Sequence, residues 1–123
     1  MKTKLSIVLG LLILLACTIS AQQTIVWFSL ADVAGSGAVV PLSATSSTVR
    51  LCQLVAPVAN ASVVQWGDAA ITAARGARIA PGGGQFLPPG GSSSNAGSPY
   101  VFDLAQTYVL VQAGDKLTVT CAR

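Results

Sequence analysis

The feature that most restricts how this chain folds is its division into short runs of β-branched, aromatic and aliphatic residues. The clearest run is Lys116–Ala122, in which Leu117, Val119 and Cys121 alternate with polar residues. A period of two is typical of a strand with one buried face and one solvent-exposed face. Glycine-rich and asparagine- or aspartate-containing turns separate the runs. Short strands at close spacing predict an all-β fold, either a single antiparallel β-sandwich, jelly-roll-like in form, or a small barrel.

Eight segments have this strand character. The runs that we expect to form strands are Thr24–Leu30, Thr48–Ala56, Val63–Trp66, Ala77–Ala80, Gln85–Leu87, Tyr100–Leu104, Tyr108–Gln112 and Lys116–Ala122. In the second of them both Leu51 and Leu54 favour burial, so the pattern does not decide which face Cys52 occupies. Gln112–Lys116 is expected to be a short hairpin connection in which Gly114 supplies a positive φ. Ala69–Arg75 is the one candidate helix, limited to a single turn.

The first 21 residues have the character of an export leader. A cationic start precedes an apolar run of 12 residues, Leu5–Ala16, which is shorter than the roughly 20 residues needed to cross a bilayer. This pattern predicts a signal peptide over residues 1–21 and a folded domain over 22–123. Leu14-Leu15-Ala16-Cys17 offers an alternative, a lipoprotein leader that ends before Cys17 and leaves a lipid on that residue. Retention of the leader is the third reading.

Removal of the leader, or lipidation of Cys17, leaves two cysteines, Cys52 and Cys121. An even number of cysteines in an exported chain favours a disulfide between them. Two buried free thiols are the alternative. No Cys-x-x-Cys spacing and no histidine accompany them, so the sequence gives no support to a redox or metal site.

The residue types that most enzymes use for proton transfer are scarce. The chain has no histidine and no glutamate, and its carboxylates are four aspartates. We therefore predict that it is not an enzyme and that it holds no cofactor or metal. Residues 22–123 carry five cations against those four aspartates, a net charge of +1, which argues against a nucleic-acid partner.

Residues 81–99 form the outlier in composition, since glycine, serine and proline fill most of them, and Gln85-Phe86-Leu87 interrupts the run. Its tail, residues 88–99, is the candidate loop. We expect a flexible loop after the strand that ends at Leu87, acting either as a spacer or as a contact loop.

Aromatic side chains are the candidate ligand contacts. Trp66 and Tyr100 would stack on a sugar, with Asp68 and Asp103 as hydrogen-bond acceptors, if the rings are exposed; a core position is the alternative for Trp66. The tripeptide Asn60-Ala61-Ser62 matches a glycosylation acceptor, a match that arises often by chance.

Past Thr48 the sequence resembles a known group of proteins. The elements that carry the likeness are Trp66-Gly67-Asp68, Ile79-Ala80-Pro81-Gly82, Asp103-Leu104 with Tyr108-Val109, and Gly114-Asp115-Lys116-Leu117-Thr118-Val119-Thr120. Over residues 48–122 they resemble small β-sandwich structural or decoration proteins of tailed phages. The resemblance implies a building or decorating unit of a virion, without catalytic residues.

Together these features predict an exported, non-catalytic structural or binding module at a cell or particle surface, in the periplasm, outside the cell or on its outer face. One alternative is a virion protein that keeps its leader, and another is a carbohydrate-binding module. The expected partner is a protein surface or a second copy, since the apolar edge Thr24–Leu30 is able to pair with another strand. A glycan is the alternative partner. Membrane contact is expected only through the leader or a lipid on Cys17.

Overall fold

The computed structural model describes residues 24–88 and 101–123. The predictions for the leader, for Cys17, for Tyr100 and for the loop beyond Pro88 lie outside these residues. Within them the regular elements are β1 (Trp27–Ser29), β2 (Val33–Ala34), β3 (Val39–Pro41), β4 (Thr48–Val49), β5 (Leu51–Val55), β6 (Val64–Gly67), β7 (Ala77–Ile79), β8 (Gly84–Leu87), β9 (Phe102–Asp103), a 3-10 helix (Leu104–Gln106), β10 (Tyr108–Leu110) and β11 (Lys116–Ala122).

The strands form two main sheets, and every pairing is antiparallel. The first sheet has five strands in the order β1-β11-β5-β8, with β2 paired to the beginning of β11. The second has four strands in the order β3-β10-β6-β7, and β4 and β9 form a separate pair. Both main sheets are open at their edges in the described residues, so the predicted all-β sandwich is confirmed and the alternative of a closed barrel is not.

The hydrophobic core contains side chains from both sheets. The first sheet contributes Leu54, Leu117 and Val119, and the second contributes Val64 and Val109, all fully buried. The alternation predicted for β11 is confirmed, since its three inward positions are buried and Lys116 is exposed. Burial of these side chains is the main stabilising contribution to the fold.

The structure shows which side chains of β5 face the core, a point that the sequence pattern did not decide. Cys52 and Leu54 point into the core, whereas Leu51 is buried on the opposite face with Ala122 and Phe86. Both leucines are thus buried, as the sequence suggested, but in two separate clusters.

The predicted disulfide between Cys52 and Cys121 is present. The two residues are direct cross-strand partners on β5 and β11, which are neighbours in the first sheet. Both are fully buried in the core. The two cysteines are 69 residues apart in the sequence, so the bond joins the middle of the chain to its last strand.

The connection before β11 differs from the predicted hairpin. Asp115 N–H donates to the Gln112 carbonyl at 3.0 Å, and Gly114 has the expected positive φ of 88°. However, β10 belongs to the second sheet and β11 to the first, so the turn carries the chain between sheets. The hairpin prediction is therefore wrong, because the turn residues define a reversal without defining which strands pair. Gly35 packs against this turn, where a Cβ would overlap the Gln112 carbonyl oxygen.

The segment Ala69–Arg75 contains no helical turn. Asp68 Oδ1 accepts from Ala70 N–H at 2.9 Å, and Thr72 Oγ1 accepts from Arg75 N–H at 3.1 Å. Thr72 and Arg75 also form an isolated β-bridge. Short polar side chains that bond the nearby backbone compete with helix formation, which explains why this candidate helix, limited to one turn at most, does not form.

Two of the strands have no counterpart in the sequence prediction. β2 and β3 contain two and three residues, too few to show a periodicity. β3 also ends at Pro41, a residue that sheets accept mainly on edge strands. Its position at the edge of the second sheet agrees with that rule.

Candidate functional site

An apolar cleft with a volume of about 210 Å³ opens at one end of the sandwich. We call it the Trp66 cleft, and its lining residues are Trp66, Leu87, Pro88, Phe102 and Thr107. Four of these side chains are apolar, and Thr107 alone adds a hydroxyl. The cleft therefore offers mainly carbon surface.

Three pairs of strands bring the lining together. Trp66 lies on β6 opposite Val109 of β10, and its indole packs against the hydrophobic core. Leu87 ends β8 opposite Cys52, and Phe102 lies on β9 opposite Val49. The cleft thus forms where the two main sheets and the small β4-β9 pair meet.

A hydrogen bond between side chains fixes the indole ring. Trp66 Nε1 donates to Gln85 Oε1 at 2.6 Å. Trp66 belongs to the second sheet and Gln85 to the first, so this bond bridges the sandwich beside the cleft. A tryptophan with its N–H satisfied in this way presents its apolar ring to the cleft.

The hydroxyl of the cleft is also engaged. Thr107 Oγ1 donates to the Asp103 carbonyl oxygen at 3.2 Å. The polar hydrogens of Trp66 and Thr107 are therefore both used within the protein. A ligand in the cleft would meet few groups that are ready to donate a hydrogen bond.

Asp103 organises the wall beside the cleft. Its carboxylate accepts from Ser46 Oγ at 2.6 Å, from Ser47 N–H at 2.9 Å and from Ala105 N–H at 3.0 Å. These bonds stabilise the charged form, and the Ser46 hydroxyl is the largest cause of a lowered pKa at Asp103. The carboxylate caps the 3-10 helix that begins at Leu104, next to Phe102 of the cleft.

The two carboxylates considered as sugar acceptors serve other roles. Asp103 makes the capping bonds just described, and Asp68 pairs with Arg75 at 3.2 Å on the surface. Neither residue lines the Trp66 cleft. Trp66 combines the two readings of its sequence position, because it packs against the core and also lines the cleft.

Four lining residues were not singled out from the sequence: Leu87, Pro88, Phe102 and Thr107. The signal that points to the first three is the segment between Leu87 and Phe102, whereas Thr107 has no such signal. Both of its ends are apolar, while glycine, serine and proline fill its interior. A long polar insertion between two apolar segments is a reason to look for a site where those segments meet.

A second group of polar residues closes the opposite end of the sandwich. Asn60 Nδ2 donates to the Lys116 carbonyl at 2.7 Å, and Asn60 Oδ1 accepts from Lys116 N–H at 3.0 Å. Asp115 accepts from Ala61 N–H at 2.7 Å and from Ser62 N–H at 2.9 Å. We call these five residues the polar latch.

The polar latch gives a structural role to Asn60 and Asp115, whose roles the sequence did not decide. Asn60 is 9% exposed and Asp115 is 6% exposed. The Asn60 side chain completes backbone hydrogen bonds at the beginning of β11, so the tripeptide that begins there has a structural role. Burial of both residues is tolerated because their polar atoms are paired.

The described residues show neither a metal cluster nor a membrane span. Among residues 24–88 and 101–123, no group of three or more cysteine or aspartate side chains is placed to hold a metal ion. The same residues contain no helix long and apolar enough to cross a membrane. The disulfide is compatible with an exported protein.

No family model, curated protein or solved structure matches this chain. The resemblance of residues 48–122 to phage structural proteins accordingly stays a prediction.

Proposed function

We propose that this chain is an exported, non-catalytic binding module, and that the Trp66 cleft receives an apolar side chain of a protein partner. The composition supports the absence of catalysis, because the chain has no histidine and no glutamate. The disulfide and the predicted leader support export to a surface or an extracellular compartment. The cleft supplies the binding part of the proposal.

The observation that carries the proposal is the size of the cleft together with its chemistry. Its volume of about 210 Å³ is below the roughly 300–1,000 Å³ of small-molecule sites. Such a space suits one anchoring side chain of a protein, and buried apolar anchors dominate the binding energy of many interfaces. The engaged hydrogens of Trp66 and Thr107 disfavour a ligand that carries many hydroxyl groups.

The test uses small surrogates for a protein side chain. We expect N-acetyl-tryptophanamide and N-acetyl-leucinamide to shift the NMR signals of the Trp66 indole and of Phe102, and N-acetyl-glycinamide to leave them unchanged. Trp66→Phe shortens one wall and removes the bond to Gln85, so it should weaken the apolar ligands. The matched control is Trp27→Phe, the same replacement at the other tryptophan, which should not alter the titration.

Two outcomes would overturn the proposal. If the apolar amides cause no shifts at the cleft, it does not bind side chains. If Trp66→Phe and Trp27→Phe change the titration equally, the binding does not involve the cleft.

Carbohydrate binding through Trp66 and Tyr100 is the first alternative. It predicts that oligosaccharides from a glycan panel, rather than the amides, shift the Trp66 indole signal. Response to a glycan with no response to the amides would replace our proposal with this one.

A role as a virion decoration protein is the second alternative, favoured by the resemblance of residues 48–122. It predicts that Met1 and the leader remain on the native protein. Intact-mass measurement separates this case from cleavage after Ala21 and from a lipid on Cys17. The same native protein, assayed against a broad panel of hydrolase substrates, should show no turnover.

A further inference from the structure

The outer strands β1 and β8 of the first sheet and β3 and β7 of the second differ in how their open edges are protected. Edge strands expose backbone N–H and C=O groups, and soluble proteins usually guard them with charges, prolines or bulges. β3 contains Pro41, β7 contains Arg78, and Pro88 directly follows β8. β1 has no such guard, because the segment Thr24–Ala31 contains neither a charge nor a proline.

The hydrogen bonds of β1 show which backbone groups point outward. Val26 exchanges two bonds with Arg123, at 3.3 and 3.1 Å, and Leu30 N–H donates to the Val119 carbonyl at 3.0 Å. In an antiparallel pair, alternate residues direct their backbone groups toward the partner strand. Ile25, Trp27 and Ser29 therefore direct theirs to the open edge of the first sheet. Within the described residues, no strand pairs with that side of β1.

The side chains of the same segment are apolar and accessible. Ile25, Val26 and Trp27 are 41%, 53% and 44% exposed. Large apolar side chains that are exposed in succession mark interaction surfaces more often than isolated ones do.

We propose that β1 pairs antiparallel with β1 of a second copy of this chain, with the two-fold axis at Trp27. This arrangement places Ile25 of each copy opposite Ser29 of the other, so all three outward residues find backbone partners. A second copy suits this edge because the strand itself places no charge at the two-fold axis. The Arg123 guanidinium lies 4.6 Å from the centroid of the Phe28 ring, one residue away from the axis at Trp27. The two five-stranded sheets would then continue into each other. The proposal does not rest on the Trp66 cleft, whose residues Leu87 and Pro88 lie at the other edge of the same sheet.

Analytical ultracentrifugation of the exported full chain tests the proposal. The pairing is short, so we expect a dimer that forms at high concentration and dissociates on dilution. Trp27→Lys places two positive charges at the axis and should weaken the dimer at least about tenfold. Gln53→Lys is the matched control, because Gln53 is an exposed residue of the interior strand β5, and it should leave the dimer unchanged.

Disulfide cross-linking of cysteine variants provides a second test of the dimer. Trp27→Cys should form a disulfide-linked dimer on mild oxidation, whereas Gln53→Cys should not, and circular dichroism confirms that each variant is folded. A wild-type chain that stays monomeric up to about 1 mM overturns the proposal. Equal dimerisation of Trp27→Lys and Gln53→Lys, or equal cross-linking of the two cysteine variants, overturns it as well.

Discussion

At one end of the sandwich the polar latch ties the approach to β6 to the beginning of β11, whereas the other end contains the Trp66 cleft. β6 runs from Val64, two residues after Ser62 of the latch, to Gly67 beside the cleft. The latch saturates its buried polar atoms with backbone partners. The cleft instead leaves carbon surface open. One end of the molecule thus ties the sheets together through paired polar atoms, and the other presents apolar surface, where we propose that a partner binds.

The largest expected effect comes from the disulfide, which lies near the cleft end because Cys52 is paired with Leu87. In the chain-entropy treatment, a closed loop of 69 residues contributes about 4 kcal/mol. We expect the double variant Cys52→Ala, Cys121→Ala to lose up to that amount of unfolding free energy, measured by urea denaturation.

Hydrogen exchange on this double variant shows whether the two ends are held separately. Amides near Cys121 should lose more protection than those of Ala61 and Ser62 in the latch. The wild-type protein under reducing conditions serves as the control. A loss below about 1 kcal/mol, or uniform loss of protection, would contradict the expectation.

The second-largest loss of unfolding free energy is expected from replacing Asp115. Replacing it with alanine leaves the N–H groups of Ala61 and Ser62, whose bonds to Asp115 are partly buried, without acceptors, each at a cost of up to about 1–3 kcal/mol. We expect Asp115→Ala to lower the unfolding free energy by about 3 kcal/mol in urea denaturation. Asp32→Ala is the control, because Asp32 accepts from the Thr118 hydroxyl at 3.1 Å on the surface, and it should cost about 0.5 kcal/mol or less. Equal losses in the two variants would show that the latch does not hold its end of the fold.

A pH dependence is expected from Asp103 at the cleft end. Its pKa in the folded protein lies below the ordinary value of 3.8. The stabilisation is therefore fully present above that ordinary value and is lost as pH falls through the folded pKa. The urea midpoint should decrease between about pH 5 and pH 2, and Asp103→Asn should make this decrease shallower. An unchanged slope in the variant would mean that other groups cause the acid sensitivity.

The smallest effect is expected for the pair of Arg75 and Asp68, which belongs to neither end. Both side chains are 65% exposed, and ion pairs in water of this kind contribute about 0–1 kcal/mol. Arg75→Gln should change the unfolding free energy by no more than about 0.5 kcal/mol. A larger loss that disappears in high salt would show that this loop matters more than its exposure suggests.

The parts of the fold that sequence reasoning recovers are those with a local signal. β11 is recognisable because its alternation extends over seven residues, and the disulfide follows from the two cysteines that lie beyond the predicted leader. β3 and the latch give no such signal, since both depend on which distant segments meet. Asn60, for example, acquires its role only when Lys116 lies beside it.

The Trp66 cleft could be predicted from the sequence only in part, for the same reason. Trp66 stands out by residue type, while Leu87 and Phe102 become neighbours only through their separate pairings with Cys52 and Val49. The turn at Gly114 shows that a correctly predicted local conformation does not decide which strands pair. Its positive φ follows from local sequence, but its two flanking strands separate into different sheets because of the contacts that each makes elsewhere.

The pairing of Val26 with Arg123 has a mechanical consequence. The first described strand and the last are antiparallel neighbours, so a force that separates these two residues would peel β1 from β11 one hydrogen bond at a time. Peeling of β11 from β5 on the other side would be arrested at Cys121, where a covalent bond takes the load. Under tension on these two residues β1 would yield first, while the disulfide keeps β11 joined to β5.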